Sequence, residues 1–179
     1  MKYMGKLGKE NKPHGITAAA CISPAFDVLA SGVTLKHTAL GMIDSSMLSD
    51  LKSPFLTKRY HTDTKCKDDL AAKAEKAQSC IEFDGLTRAR ILGRNSAHML
   101  WRSMSCDRYL PHVDVPFLTV VAKDDPITEY RHVPVETLQR NPHSVLTVFE
   151  RGGHVNFYHE DGDVPIENRS INFALGYLE

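Results

Sequence analysis

Two short stretches of this chain hold side chains that can exchange a proton: the acidic pair Asp124-Asp125 in VVAKDDPITEY and His154 in FERGGHVNF. A carboxylate that accepts the Nδ1 hydrogen of an imidazole fixes its tautomer. It also stabilises the imidazolium formed when Nε2 takes a proton from a nucleophile. Either Asp124 or Asp125 could be that acceptor. Gly152 and Gly153, just before the histidine, allow positive φ and close backbone approach, so the turn can aim His154 back over a sheet. Each motif also has a plainer reading, since Asp-Asp-Pro is a common turn or helix N-cap and Gly-Gly-His a common exposed turn. What sets them apart is position: each falls just past the end of a run patterned as a parallel strand, where open α/β sheets place their ligands.

Three such runs are present. Ile16 to Ser23 (ITAAACIS) is nearly continuous in apolar residues and stops at Pro24, the pattern of a strand buried on both faces. Pro116 to Ala122 (PFLTVVA) and Ser144 to Phe149 (SVLTVF) repeat it. Between the second and third, Val135 and Leu138 give a short apolar face and Asn141-Pro142 a stop signal, so this segment reads as the crossover helix of a βαβ unit. After the third, Ile171, Ala174, Leu175 and Leu178 fall at helical spacing, with Pro165 near the helix start. Parallel strands joined by one helix would bring the acidic loop and the histidine loop together.

Residues 27–109 carry helical patterns and no convincing strand. Leu70, Ala74, Ala77 and Ile81 line one face of an Ala/Lys-rich helix, and Ala97, Leu100, Trp101 and Met104 line another. The segment reads as a helical insertion far longer than an ordinary crossover, shaped to be a cap over a site or plain scaffold.

With 179 residues, 42% of them apolar, the chain suffices for one ordinary domain and not for two. Lys plus Arg and Asp plus Glu balance at 22 each, and no basic run recurs with aromatics, so nucleic acid is not an expected partner. The longest apolar runs are less than half the roughly 20 residues a membrane-spanning helix needs. No signal-peptide core is visible in the basic start MKYMGKLGKENKPHG. Cys21, Cys66, Cys80 and Cys106 form no C-x-x-C pair and read as reduced thiols. His154, His159, Asp161 and Asp163 in GGHVNFYHEDGD could hold a divalent ion, but Asp/Gly-rich loops are ordinarily solvated turns, and no metal or cofactor is expected.

From about Lys2 to Gly162 the chain resembles the C-terminal half of α/β-hydrolases of the AB hydrolase 4 family, which includes YheT-like esterases and animal membrane-associated phospholipid and acylglycerol lipases. The resemblance is carried by KYMGKLG, ISPAFDV, FDGLTR and VPFLTVVAKDDPITEYRHVPVETLQRNPHSVLTVFERGGHVNF, and is most specific in the succession DDP, NP, GGH. It implies an α/β fold holding parallel strands six to eight with a cap-like helical insertion, so that residues 1–179 form a single partial domain. The sixth strand would then leave an edge open where the fifth belongs. In that family the acid stands at a position matching Asp125, with Asp124 as the alternative, and the histidine at His154. Glu129 departs from the proline often found in the acidic loop.

The resemblance further implies hydrolysis of a carboxylic ester by a Ser-His-Asp triad, acting on lipid or other ester substrates. The serine would sit in a nucleophile elbow about two helical turns upstream of Met1, and the oxyanion hole also lies outside the chain. No G-x-S-x-G occurs, and Ser23, Ser96, Ser103 and Ser105 lack the glycines such a turn needs. The leading expectation is therefore the C-terminal fragment of a serine esterase or lipase, inactive alone. The resemblance also implies membrane association of the full-length protein, since animal relatives usually carry an N-terminal membrane anchor, which this chain would have lost if it is truncated. The alternative is a non-catalytic α/β-hydrolase-like module that binds a lipid or a protein.

Overall fold

The computed structural model describes residues 1–57, 67–155, 157 and 165–177. In chain order it contains α1 (Lys2–Lys9), β1 (Ala19–Ile22), α2 (Val28–Leu35), α3 (Met42–Thr57), α4 (Lys67–Lys76), α5 (Cys80–Leu86), α6 (Arg88–Ile91), α7 (Ala97–Met104), β2 (Phe117–Ala122), α8 (Val135–Arg140), β3 (Ser144–Phe149) and α9 (Pro165–Leu175). The chain divides into two compact units, one of residues 1–27 and 105–179 and the other of residues 28–104.

The first unit is built on a sheet in the order β1-β2-β3, parallel at both pairings. Phe117 lies opposite Ala19 on one side and Ser144 on the other. Every residue of β2 is buried, as a continuous run of apolar and β-branched side chains should be when strands flank it on both sides. β1 and β3 differ from the expectation of three fully buried strands. β1 is shortened to four residues and is half-buried, with Ala20 exposed, and Val145 and Val148 of β3 face solvent. Each of these strands has a paired neighbour on one side alone among the described residues, so an apolar run here marks membership of the sheet rather than complete burial.

Two clusters cover the sheet. Met4, Phe26, Leu110, Val113, Phe117, Val121 and Leu138 form one, with α1 and α8 contributing a side chain each. Gly5 and Gly8 let α1 approach closely, because a Cβ at either would stand 2.2 or 2.0 Å from the carbonyl oxygens of Tyr109 and His112. Leu118, Val120, Ala122 and Phe157 form the other cluster, joined by Ile22, Phe149 and Phe173. Here α9 departs from its sequence pattern. Ile171 and Leu175 are exposed and Leu178 lies outside the described residues, while Phe173 packs inward. The aromatic ring buries more area than either aliphatic residue, and the inward stripe is rotated to suit it.

In the sheet unit, Asn141 joins the crossover to the chain before β2. Its Nδ2 donates to the carbonyls of Leu110 at 2.7 Å and Val113 at 2.9 Å, and its Oδ1 accepts the His143 N–H at 2.8 Å. The second unit leaves the first after Asp27 and returns at Ser105. The Phe26 carbonyl accepts the N–H groups of both Cys106 (2.9 Å) and Asp107 (3.1 Å), so the points of departure and return are hydrogen-bonded to each other.

The unit spanning residues 28–104 is helical, with no strand among its described residues. Its core holds Leu48, Ala74, Ala77, Cys80, Phe83, Ala89, Leu100 and Trp101. The continuous helix expected through Leu70 and Ile81 is in fact two, α4 and α5. Ser79 caps α5 by accepting the Glu82 N–H at 3.3 Å, and Glu82 turns back onto the Gln78 N–H at 2.8 Å. That reciprocal bonding starts a new helix and so ends the old one. Of the face expected on α7, Ala97, Leu100 and Trp101 are buried and Met104 is not.

Asp84, fully buried, is the polar centre of this unit. It accepts from Trp101 Nε1 at 2.6 Å and from Arg88 Nη2 at 2.6 Å, and its other oxygen takes the Arg88 Nε–H. Both carboxylate oxygens are thereby satisfied, which a buried charge requires.

Candidate active site

β2 ends at Ala122, and Lys123 continues its register by donating its N–H to the Phe149 carbonyl at 2.9 Å. The chain then turns, and the two aspartates that follow take different partners. Asp125, 4% exposed, lies with Oδ2 2.9 Å from His154 Nδ1. Its Oδ1 accepts the N–H groups of Ile127 at 2.8 Å and Thr128 at 2.9 Å, and the Thr128 hydroxyl donates to Oδ2. Asp124 Oδ1 instead accepts the N–H groups of Gly152 and Gly153, each at 2.9 Å.

Burial alone would raise the Asp125 carboxyl. The bonds from His154, the Thr128 hydroxyl and the Thr128 and Ile127 N–H groups outweigh it and hold the carboxyl at about 2. Asp125 is therefore ionised at neutral pH. An ionised carboxylate can only accept, so Nδ1 of His154 carries a hydrogen, and in the neutral imidazole Nε2 then has the free lone pair. This assigns the tautomer in which a histidine acts as a base through Nε2. The His154 side chain is about one-third exposed.

The two glycines serve different needs. Gly153 has φ +54 with open space around it, a left-handed turn that suits a residue without Cβ. At Gly152 the constraint is steric, because a Cβ would stand 2.6 Å from the Phe157 ring and 3.2 Å from Ala122 Cβ. Phe157 is buried beneath the turn and its ring lies 5.3 Å from that of Phe149. The histidine turn thus sits on an aromatic floor and is tied to Asp124 at its rim.

Reading the sequence for carboxylates and histidine missed Thr128. Its hydroxyl bonds Asp125 and lies 3.5 Å from His154 Nδ1, so it fixes the face that Asp125 presents. The signal was available: an aspartate followed two and three residues on by free N–H donors is an Asx-type turn. The turn role and the imidazole contact coexist in one carboxylate, Oδ1 holding the loop and Oδ2 meeting the histidine.

Of the serines set aside earlier, Ser23 stands at the end of β1 with φ +45, its N–H bonded to the Val120 carbonyl at 2.8 Å. It is 5% exposed, and its hydroxyl has no partner among the described residues. Strained backbone after a parallel strand is a feature of nucleophile elbows, but Cys21 and Ala25 stand where the elbow pattern has its two glycines.

The described cysteines are free thiols. Burial, reinforced by Asp44, pushes Cys80 up to about 12, and burial takes Cys106 up to about 11, so neither offers a thiolate at neutral pH. Cys66 and the remaining members of the candidate metal set, His159, Asp161 and Asp163, lie outside the described residues. No helix among the described residues is long and apolar enough to cross a membrane.

Comparison with known proteins points one way. Monoacylglycerol lipase of Saccharomyces cerevisiae is 25% identical over 158 residues, covering 85% of this chain and 34% of that protein. Phospholipase ABHD3 of Mus musculus is 26% identical over 157 residues, 88% of this chain and 37% of its own length. An abhydrolase domain-containing protein of Dictyostelium discoideum reaches 31% over 104 residues, 58% of this chain and 26% of that protein. The chain spans about a third of the length of the curated relatives it matches. No family profile matches it, and no solved structure does. Three parallel strands with flanking helices, and lipase and abhydrolase relatives aligned along more than half of its length, make this chain similar to the C-terminal portion of α/β-hydrolases of the AB hydrolase superfamily.

Proposed function

We propose that this chain supplies the acid and the histidine of a Ser-His-Asp triad in a carboxylic-ester hydrolase acting on lipid esters, with the serine and oxyanion hole contributed by polypeptide outside residues 1–179. The observation that carries the proposal is the buried, ionised Asp125 bonded to His154 Nδ1 at the carboxyl end of adjacent parallel strands. In this reading His154 Nε2 takes the serine proton during attack on the ester carbonyl and returns it to the leaving alcohol. Asp125 stays ionised throughout and stabilises the imidazolium. Thr128 and Asp124 are positioning residues, and the helical unit of residues 28–104 is the cap-like insertion of that fold. The names of the relatives, a monoacylglycerol lipase and a phospholipase, support a glycerolipid ester as substrate.

The test reads the coding sequence upstream of the Met1 codon for an in-frame strand and nucleophile elbow, then assays the complete product on monoacylglycerol and phospholipid esters. Loss of hydrolysis in both Asp125→Asn and His154→Ala, with a far smaller loss in Asp124→Asn, supports the assignment. A product that starts at Met1, folds stably and cleaves no ester leaves the non-catalytic binding module as the better reading.

A further inference from the structure

β1 leaves the sheet through a residue in an unfavourable conformation. Ser23, directly after Ile22, carries a Cβ at φ +45. Pro24 follows, and a proline pushes the residue before it toward extended backbone, so the left-handed conformation is disfavoured on both counts. The sheet holds Ser23 there all the same, since its N–H continues the parallel ladder to the Val120 carbonyl at 2.8 Å. Strain held in this way concentrates where a side chain has to be aimed.

The side chain so held is a hydroxyl that is buried, with Oγ bonded to nothing among the described residues. An unbonded buried hydroxyl costs free energy, and such groups in folded proteins ordinarily have a partner. Packing explains neither feature. Alanine would fill the same space without a polar group to satisfy, and glycine would make the turn without strain.

The placement of α1 gives the direction from which a partner comes. Met1 and Ala19 pack on the cluster of Met4 and Cys106, and the Met1 amino group hydrogen-bonds the Cys21 side chain. From there α1 runs toward the amino end of the sheet, where Gly8 lies against His112 and Asp114 ahead of β2. Followed upstream, its axis therefore points to the carboxyl end, where β1 reaches Ser23. Cys21 and Ser23 are two strand positions apart, about 7 Å. At about 1.5 Å per residue, a helix continued upstream of Met1 covers that span in about five residues. The elbow implied by the resemblance, about two turns upstream, begins just beyond. The first turn of a helix carries N–H groups without intrahelical acceptors, which a hydroxyl oxygen can take.

We propose that Ser23 is a positioning residue for the hydrolysis: its Oγ accepts an N–H from the first turn of the helix that continues α1 upstream, and so fixes the nucleophile elbow relative to His154. This rests on the triad reading and adds to it a contact that neither Asp125 nor Thr128 makes. Ser23 itself does not attack the ester.

The test uses the complete protein with Ser23→Ala and Ser23→Gly, assayed for ester hydrolysis and labelled with a fluorophosphonate. Both variants lose the hydroxyl, but only glycine relieves the left-handed backbone, so Ser23→Gly should melt no lower than Ser23→Ala. Both should lower kcat about tenfold, the effect of one hydrogen bond, with KM unchanged, and both should slow labelling by the same factor. Wild-type kcat in Ser23→Gly overturns the inference, because a loss confined to Ser23→Ala would come from the backbone alone. Wild-type kcat in both variants, beside hydrolysis that Asp125→Asn and His154→Ala destroy, overturns it and leaves the triad standing. A complete protein that cleaves no ester overturns the triad reading and this inference together.

Discussion

The N–H of Gly153 donates to Asp124 Oδ1 at 2.9 Å, so the carboxylate adjacent to the partner of His154 is the one that holds the turn presenting His154. One dipeptide after β2 therefore sets both the position of the imidazole and its tautomer. The two carboxylates should separate under substitution.

In a complete, active hydrolase, Asp125→Asn should lower kcat by about 10⁴ with little change in KM, because the amide cannot stabilise the imidazolium and favours the wrong tautomer. Asp124→Asn keeps an oxygen for the Gly152 and Gly153 N–H groups and should lose far less. Asp124→Ala removes that acceptor and should fall between them. Steady-state ester hydrolysis decides, and equal losses in Asp124→Asn and Asp125→Asn would remove the division of roles.

Acid should destabilise the sheet unit through Asp125. Its carboxyl sits at about 2 when folded and near 3.9 when unfolded, so the folded value is the depressed one. The associated stability is complete above about pH 4 and is lost as pH falls toward 2, a contribution of roughly 2 kcal/mol. Urea melts across that window should fall more steeply for wild type than for Asp125→Asn, which has no proton to gain. Parallel curves would mean the carboxyl is not held low.

Gly152→Ala and Gly153→Ala should both destabilise, for different reasons. The first drives a Cβ against Phe157 and should cost about 1–3 kcal/mol, partly relieved by Phe157→Leu. The second meets open space and should cost about 1 kcal/mol from its left-handed backbone, with no relief from the Phe157 change. Chemical denaturation of the singles and doubles resolves the two.

Asp84→Ala should be strongly destabilising in the helical unit, by about 1–3 kcal/mol, since it takes the acceptor from the buried Trp101 N–H and the partner from the part-exposed Arg88 guanidinium. Trp101→Phe removes one donor from a carboxylate that keeps Arg88 and should cost less. Trp101 is the one tryptophan of the chain, so its fluorescence follows Asp84→Ala directly.

Much of the sheet was legible in the sequence because a strand flanked on both sides leaves an unbroken apolar run, as β2 does. The same signal overstated β1 and β3, since sequence does not show which strand has neighbours on both sides. The break between α4 and α5 was written in Ser79 and Glu82, but an Ala-rich stretch hides a cap unless the reciprocal spacing is sought. In the site, Asp125 and His154 stood out by residue type and by their place after strands. Thr128 did not, because a threonine in a turn has no chemistry of its own until its carboxylate partner is known. The inward face of α9 was misjudged because counting aliphatic residues at helical spacing ignored the larger ring of Phe173.

The paired bonds from the Phe26 carbonyl to Cys106 and Asp107 bear on how this chain can be cut and rejoined. The seam where the helical unit leaves and the seam where it returns are within one hydrogen bond of each other, so a short Gly-Ser link could close the gap left by excising residues 28–104 at little cost in chain entropy. The remaining segments, 1–27 and 105–179, contain the strands β1 to β3, Asp125 and His154, and the helical unit becomes a module that can be exchanged for another of different size without respacing the sheet.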